Sequence, residues 1–185
     1  MSLRRELMDS TQMKRAVRRL AHQLVGTISA DEIVLVGVRT RGVPLARRLK
    51  HIIDEIEGTD IPVGELDITL YRDDVFSGSG VPEVRPTHLP FDMVNKAVVL
   101  VDDVLYTGRT TRAALDAIVD WGRPKCIKLA VLVDRGHREL PIQADFIGLQ
   151  LETLNDESVQ VMLNESDDAD RVILWGLSDE DEHAT

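Results

Sequence analysis

One stretch of the 185-residue chain gathers the residue types that chemistry needs, and it reads Val98-Val99-Leu100-Val101-Asp102-Asp103-Val104-Leu105-Tyr106-Thr107-Gly108-Arg109-Thr110-Thr111. An apolar run of this kind predicts a buried strand, here ending in two adjacent acids before a short hydroxyl- and glycine-containing turn opens into a helix. Such a turn aims backbone N–H groups, the Thr107, Thr110 and Thr111 hydroxyls and the positive end of a helix at one point, which suits a phosphate. Asp102 and Asp103 cannot serve that phosphate, because like charges repel. They suit the vicinal hydroxyls of a sugar and a magnesium ion nearby. A lone Asp-Asp is more often an aspartate cap on an ordinary strand-to-helix turn, so the weight falls on the whole run.

Two other glycine spacings carry no such chemistry. Gly37 and Gly42 have the separation of a P-loop, but Val43-Pro44 stand where Lys and Ser or Thr must reach phosphates and magnesium. Gly78-Ser79-Gly80 lacks a third glycine and neither follows a strand nor opens a helix.

The surrounding periodicities predict the scaffold. Residues 8–25 read as an amphipathic helix, with Val17, Leu20, Ala21 and Leu24 on one buried face. Residues 33–38 form an unbroken β-branched run, the mark of a strand covered on both sides. After the turn Arg39-Thr40-Arg41-Gly42, Pro44 sits in a first helical turn and Leu45, Leu49, Ile52, Ile53 and Ile56 continue a helix. Strands are expected at 64–71, 96–104 and 126–133 and a helix at 110–121, stopped by Gly122 and Pro124. Short strand-like segments at 145–148, 158–163 and 171–175 close the chain. The long proline-bearing stretch 72–95 predicts an active-site lid or a loose insert. Alternating strands and helices imply an α/β fold with a doubly wound, mostly parallel sheet flanked by helices. Ligands in such folds sit beyond the carboxyl ends of the strands. The loops 39–42, 104–111 and 134–140 are therefore the ones to inspect.

With 43% hydrophobic and 29% charged residues, neither a disordered nor a fibrous chain is expected. The length fits one domain over residues 1–177, followed by an acidic solvated tail at 178–185. The longest apolar runs fall far short of the ~20 residues that cross a bilayer, and no apolar signal segment follows the first charges. Together with the single Cys126, expected to be a buried inert thiol, this predicts a cytoplasmic protein. Trp121 and Trp175 read as core or interface packing, and His51 and His88 as surface residues. The net charge of −10 argues against a general nucleic-acid sponge, although eight of the acids lie between 164 and 185 and leave the body nearer neutral. A local basic face is not excluded.

The run from Val98 to Thr111 resembles the phosphoribosyl pyrophosphate (PRPP) motif of type I phosphoribosyltransferases. That resemblance implies that Thr107, Gly108, Arg109, Thr110 and Thr111 hold the 5′-phosphate. It places Asp102 and Asp103 at the ribose hydroxyls, where they would also meet magnesium, mostly through the substrate. Arg39-Thr40-Arg41-Gly42 matches the pyrophosphate loop, whose arginines supply fork donors for a leaving diphosphate. Purine members usually place an aspartate before the Thr-Gly; here Tyr106 stands there, which weakens a purine reading. Ordinary uracil phosphoribosyltransferases usually lack the acid pair. Between about Glu6 and Trp175 the chain is most similar to the bifunctional pyrimidine operon attenuators that also act as uracil phosphoribosyltransferases. Gly64 to Asp74, Val101 to Thr110 and Leu132 to Ile142 are long runs typical of that family.

The family resemblance implies conversion of uracil and PRPP to UMP and diphosphate with magnesium, in a homodimer or larger homo-oligomer. Catalytic roles would fall to Asp102, Asp103, Arg39, Arg41 and Arg72, the last at the root of a flexible lid over 71–90. The base would lie near Val104, Leu105, Tyr106, Val133, Asp134 and Arg135. The same family binds a hairpin in pyrimidine-operon leader mRNA when UMP or UTP is present, which favours transcription termination. Arg15, Arg18, Arg19 and His22 recur at helical spacing opposite the apolar stripe and make an all-basic ridge. Arg19, His22, His137 and Arg138 stand where family members contact RNA. Family members commonly carry an arginine and a lysine where this chain has Gln143 and Leu149, so two cationic contacts are missing and Glu152 adds repulsion. No aromatic platform replaces them, since aromatics are 4%. Three readings stay open: enzyme and RNA regulator, salvage enzyme alone, and nucleotide-sensing regulator with negligible turnover.

Overall fold

The computed structural model describes residues 2–73 and 84–176, with side chains from residue 5 onward. The acidic tail at 178–185 and residues 74–83 of the expected lid lie outside the described residues.

The chain opens with strand β1 (Ser2–Met8) and helix α1 (Ser10–Val25). It continues through β2 (Ile33–Val38), α2 (Gly42–Glu57), β3 (Val63–Leu66), β4 (Ala97–Leu105), α3 (Arg109–Trp121) and β5 (Cys126–Asp134). Then come β6 (Phe146–Gln150), β7 (Ser158–Met162), the single turn α4 (Asn164–Asp167) and β8 (Arg171–Gly176). Five strands in the order β3-β2-β4-β5-β6, all parallel, form the main sheet, and β1-β8-β7 form a separate antiparallel sheet. The doubly wound α/β architecture is thus as the alternation of elements implies, while the last two strands leave the main sheet.

Each face of the main sheet has its own core. Met13, Val17, Leu20 and Leu24 of α1 and Leu45, Leu49 and Ile53 of α2 pack with Leu35, Val99, Val101 and Leu132 on one side. On the other, Ala113, Ala114, Ala117 and Ile118 of α3 meet Val34, Val36, Val98, Leu100 and Val131. Every residue of β2 is buried, which explains its run of branched side chains. Leu49 and Ile53, with 1% and 0% exposure, are each worth roughly 1.5–3 kcal/mol of burial.

Local chemistry moves several boundaries. α1 starts at Ser10, two residues later than its periodicity suggests, because Asp9 forms a reciprocal cap with Gln12. The Asp9 carboxylate accepts from the Gln12 N–H at 2.8 Å, and the Gln12 side chain accepts from the Asp9 N–H at 2.9 Å. β3 stops at Leu66 and not at 71, because the Asp67 carboxylate accepts from the N–H groups of Thr69 and Arg85, both at 2.7 Å, and turns the chain into the 3₁₀ turn Thr69–Tyr71. Cys126 is half-buried at the start of β5, where a strand end leaves it partly open, so it is not the fully buried thiol expected. Trp121, 52% exposed at the end of α3, packs into neither core. No helix among the described residues is long and apolar enough to cross a membrane.

Candidate active site

β2 and β4 run side by side with Gly37 opposite Val101, so the loop after β2 lies against the acids that follow Val101. That approach needs Gly42: a Cβ there would collide with the Val101 carbonyl. α2 begins at Gly42 with Arg41 as its cap residue, and no side chain caps it. The Arg39–Thr40 peptide bond in this loop is cis.

The second loop joins β4 to α3. Gly108 precedes the helix with φ of 92°, a conformation that glycine adopts freely; it has no side chain to cap the helix, and of the first-turn N–H groups that of Arg109 is met by Thr107 Oγ1 at 3.3 Å. The carbonyls of this turn are held from the segment after β5. Leu105 O accepts from Arg135 N at 3.1 Å, and Thr107 O accepts from Glu139 N at 3.0 Å and Leu140 N at 3.2 Å. Two helix starts therefore stand at the carboxyl ends of neighbouring strands, α2 without a cap and α3 with only its Arg109 N–H met by a side chain, each leaving N–H groups able to bind an anion. Thr107 and Thr110 are partly open, whereas Thr111, with 5% exposure, is turned into the protein.

Asp102 and Asp103 lie in the last four residues of β4, followed by Val104 and Leu105. The Asp102 carboxylate accepts from the Asp103 N–H at 2.9 Å, and that of Asp103 from the Val104 N–H at 3.0 Å. Burial, followed by the charge of Asp103, pushes the Asp102 carboxyl well above the usual range, against the pull of Arg72. Burial likewise raises Asp103, opposed by its hydrogen bonds and by the charge of Arg41. An acid pair with raised pKa values beside arginines, Asp102 buried and Asp103 half-buried, marks this strand end as the candidate functional site.

The arginines have partners that the sequence did not announce. Arg39 bonds Glu65, which also holds Arg47. Arg41 makes a two-pronged pair with Asp167 through Nε at 3.2 Å and Nη2 at 2.7 Å, joining the loop to the turn between β7 and β8. Arg109 points away from the turn to Asp73 and Glu139, at 2.6 Å each. Glu65, Asp73, Glu139 and Asp167 are thus partners of the candidate site's arginines that the sequence did not single out, where only distant opposite charges hint at them.

The expected base region assembles, but mostly through backbone. Leu105 pairs with Asp134 and Val104 with Val133 across β4 and β5. Leu105 and Val133 are buried in the two cores, so their side chains face no ligand. Asp134 accepts from the Gly136 N–H at 3.0 Å and from Arg138. The Arg135 guanidinium lies 4.1 Å from the centre of the Tyr106 ring and donates to Thr153 Oγ1 at 3.1 Å. Tyr106, 39% exposed, is the open member of the group.

Arg15, Arg18, Arg19 and His22 share the exposed face of α1, and Arg19 also donates to the Gly148 carbonyl of β6. Arg138 spends its donors inside the protein, while exposed His137 lies against the Tyr106 ring with centroids 6.1 Å apart. Gln143 and Glu152 line a cleft of about 460 Å³ with Asp134, Arg138 and Gln150, and Leu149 packs toward the core.

A doubly wound sheet with an acid pair and a glycine turn at the end of its central strand defines a type I phosphoribosyltransferase. Residues 4–166 match the model of the phosphoribosyl transferase domain. Within that class the chain belongs to the PyrR family. It is 56% identical over 176 residues to the bifunctional protein PyrR of Thermus aquaticus, spanning 95% of this chain and 97% of that one. It is 51% identical over 174 residues to the protein of the same name from Deinococcus radiodurans, spanning 94% and 95%. Solved structures share the fold at low identity. A hypoxanthine-guanine phosphoribosyltransferase of Bacillus anthracis matches with a TM-score of 0.69 at 20% identity over 96% of this chain and 100% of that one. The hypoxanthine phosphoribosyltransferase of Trypanosoma cruzi gives a TM-score of 0.73 at 16% identity over 96% and 97%.

Proposed function

We propose that this chain transfers the phosphoribosyl group of PRPP to uracil, forming UMP and diphosphate, and that with UMP or UTP bound it also binds pyrimidine-operon leader mRNA. The observation that carries the catalytic half is the acid pair Asp102-Asp103, the first buried and the second half-buried, near the end of β4, just before the glycine turn that opens α3. Tyr106 in place of an acid supports a pyrimidine, because no carboxylate stands there to meet a purine ring. The name of the relatives, a bifunctional protein, supports the second half.

In the reaction, the C1′–O bond of PRPP breaks and the uracil N1 bonds to C1′, while the bond electrons leave with diphosphate. The N1 proton is acidic enough that solvent or the departing diphosphate can take it, so no strong base is required. Positive charge grows on the ribose and negative charge on the diphosphate, and catalysis is mainly positioning and electrostatics. The N–H groups at the start of α3, with Thr107 and Thr110, anchor the 5′-phosphate. Asp102 and Asp103 accept from the ribose hydroxyls. The loop 39–42, with Arg39, Arg41 and the uncapped start of α2, steadies the diphosphate; Arg41 commits Nε and Nη2 to Asp167, which holds its guanidinium in a fixed plane. Arg72 adds positive charge beside Asp102. Lid closure would exclude the water that hydrolyses PRPP.

Among the described residues, no group of three or more His, Cys, Asp or Glu side chains gathers to hold a metal by itself. The hard carboxylate oxygens of Asp102 and Asp103 suit a magnesium ion; these residues would hold it, and it would supply positive charge against the leaving diphosphate.

The basic ridge of α1 supports RNA binding through phosphates. Gln143 and Leu149 favour a second reading, a salvage enzyme that has lost RNA binding. The test uses purified protein with PRPP and magnesium: uracil is expected to give UMP, and hypoxanthine or guanine no nucleotide. Purine nucleotides in place of UMP would overturn the proposal. Leader RNA bound more tightly with UMP at physiological salt supports bifunctionality; no RNA binding with UMP synthesis intact leaves the salvage enzyme alone.

A further inference from the structure

Three consecutive carbonyls of the phosphate turn face one segment, residues 135–140. Leu105 O is held by the Arg135 N–H and Thr107 O by the N–H groups of Glu139 and Leu140. The middle carbonyl, Tyr106 O, is held instead by a side chain, Arg138 Nη1 at 2.8 Å. In a trans peptide the C=O and the following N–H point in opposite directions. Fixing these carbonyls toward 135–140 therefore fixes the N–H groups of Tyr106, Thr107 and Gly108 toward the opposite side, where the phosphate would sit. For the Thr107 N–H this direction depends on Arg138.

The guanidinium is itself immobilised. Nη1 also donates to Gly136 O at 3.1 Å, Nε donates to Ile142 O at 2.9 Å, and Nη2 pairs with Asp134. Its side chain is 21% exposed, so most of it is out of water. Leu140 and Ile142 pack within about 3.5 Å of where a Gly108 Cβ would be, backing the same turn. An arginine with all three nitrogens bound to internal acceptors is built as a brace, and turning it outward to RNA would break four hydrogen bonds.

We propose that Arg138 is a positioning residue for phosphoribosyl transfer, holding the Tyr106–Thr107 peptide so that its N–H meets the 5′-phosphate of PRPP. This rests on the reading of the turn at 107–111 as the 5′-phosphate site. The carbonyl it holds sits on the phosphate turn, so its loss falls more heavily on PRPP than on uracil, although Arg138 also bonds Asp134 beside the expected base.

The experiment is steady-state kinetics of the full chain with PRPP and uracil varied separately, in wild type, Arg138→Met, Arg138→Lys and Thr110→Glu, with melting curves on each. Arg138→Met is expected to raise the KM for PRPP about tenfold while the KM for uracil moves little, as misplacing an anchor by a fraction of an ångström predicts. Arg138→Lys, which can reach one carbonyl, should fall between wild type and Arg138→Met, and it is read in place of Arg138→Met if that variant does not fold. An unchanged KM for PRPP at position 138, with Thr110→Glu still raising it, overturns the positioning role alone. An unchanged KM in Thr110→Glu as well overturns the reading of the turn. Wild-type KM for PRPP with lost leader-RNA affinity in Arg138→Met would assign the side chain to RNA and overturn the proposal.

Discussion

Helix α1 and helix α3 begin in opposite ways. α1 is closed by Asp9 and Gln12, each satisfying a backbone N–H of the other. α3 begins at a glycine, which has no side chain to cap it, with no acid in its first turn and only the Arg109 N–H met by a hydroxyl, that of Thr107 at 3.3 Å; α2 begins without a cap. Leaving N–H groups open costs stability that α1 does not forgo, about 1 kcal/mol per missing cap. The difference teaches that the first turns of α2 and α3 keep N–H groups open to an anion from outside the chain, the role proposed for them, while the start of α1 is closed by its own side chains. On the proposed function, that division would give the diphosphate of PRPP to α2 and its 5′-phosphate to α3.

Several substitutions break or sharpen that contrast. The largest effect is expected from Asp103→Asn, which keeps the shape of the site but removes a hydroxyl acceptor and the field beside the ribose. UMP formation should fall on the order of 100-fold or more, measured as kcat/KM. Thr110→Glu places an acid in the second position of α3 and so supplies from within the charge the helix end reserves for phosphate. The KM for PRPP should rise at least about tenfold while stability rises slightly, by about 0.5 kcal/mol, seen as a small upward shift of the melting temperature. A fall in both would mean that the helix end is not an anion site.

Asp102→Asn probes the buried acid. Because burial raises its carboxyl well above 3.8, the folded state resists ionisation that the unfolded chain accepts. Below 3.8 both states are protonated and the substitution should leave stability alone. As pH rises through the gap, wild type loses up to about 1.4 kcal/mol per unit and the variant does not. Melting curves from pH 3.5 to 8 should therefore show the variant gaining on wild type with rising pH; a gain that shrinks with pH would sink the assignment. The smallest effect belongs to Asp9→Ala, expected to cost about 1 kcal/mol in denaturant unfolding with kinetics unchanged. Kinetics that changed as much as in Thr110→Glu would erase the distinction between the helix ends.

Much of this was legible in the sequence because it is written in contiguous, periodic runs. The all-apolar 33–38 could only be a strand covered on both faces, and the acid pair with its glycine turn announced the end of β4 and the start of α3. What was hidden depends on segments far apart in the chain. Arg41 meets Asp167 across 126 positions, and Glu65 gathers Arg39 and Arg47, pairings that leave no periodic trace. β1 was missed because Arg4, Arg5 and Glu6 give it no apolar alternation, and it exists by pairing with β8 at the other end of the chain. Leu105 and Val133 lie in the expected base region, yet the sheet that brings them there also turns their side chains into the cores. The internal bonds of Arg138 were likewise invisible in a loop that reads only as charged.

The contrast between the helix ends can be observed residue by residue. Titrating UMP into uniformly ¹⁵N-labelled protein and following amide chemical shifts should move the N–H signals of Thr107, Gly108, Arg109 and Thr110 most, with those of Ser10, Thr11 and Gln12 unmoved. Saturable shifts confined to other elements, with 107–110 silent, would contradict the claim that the open end of α3 takes the nucleotide phosphate.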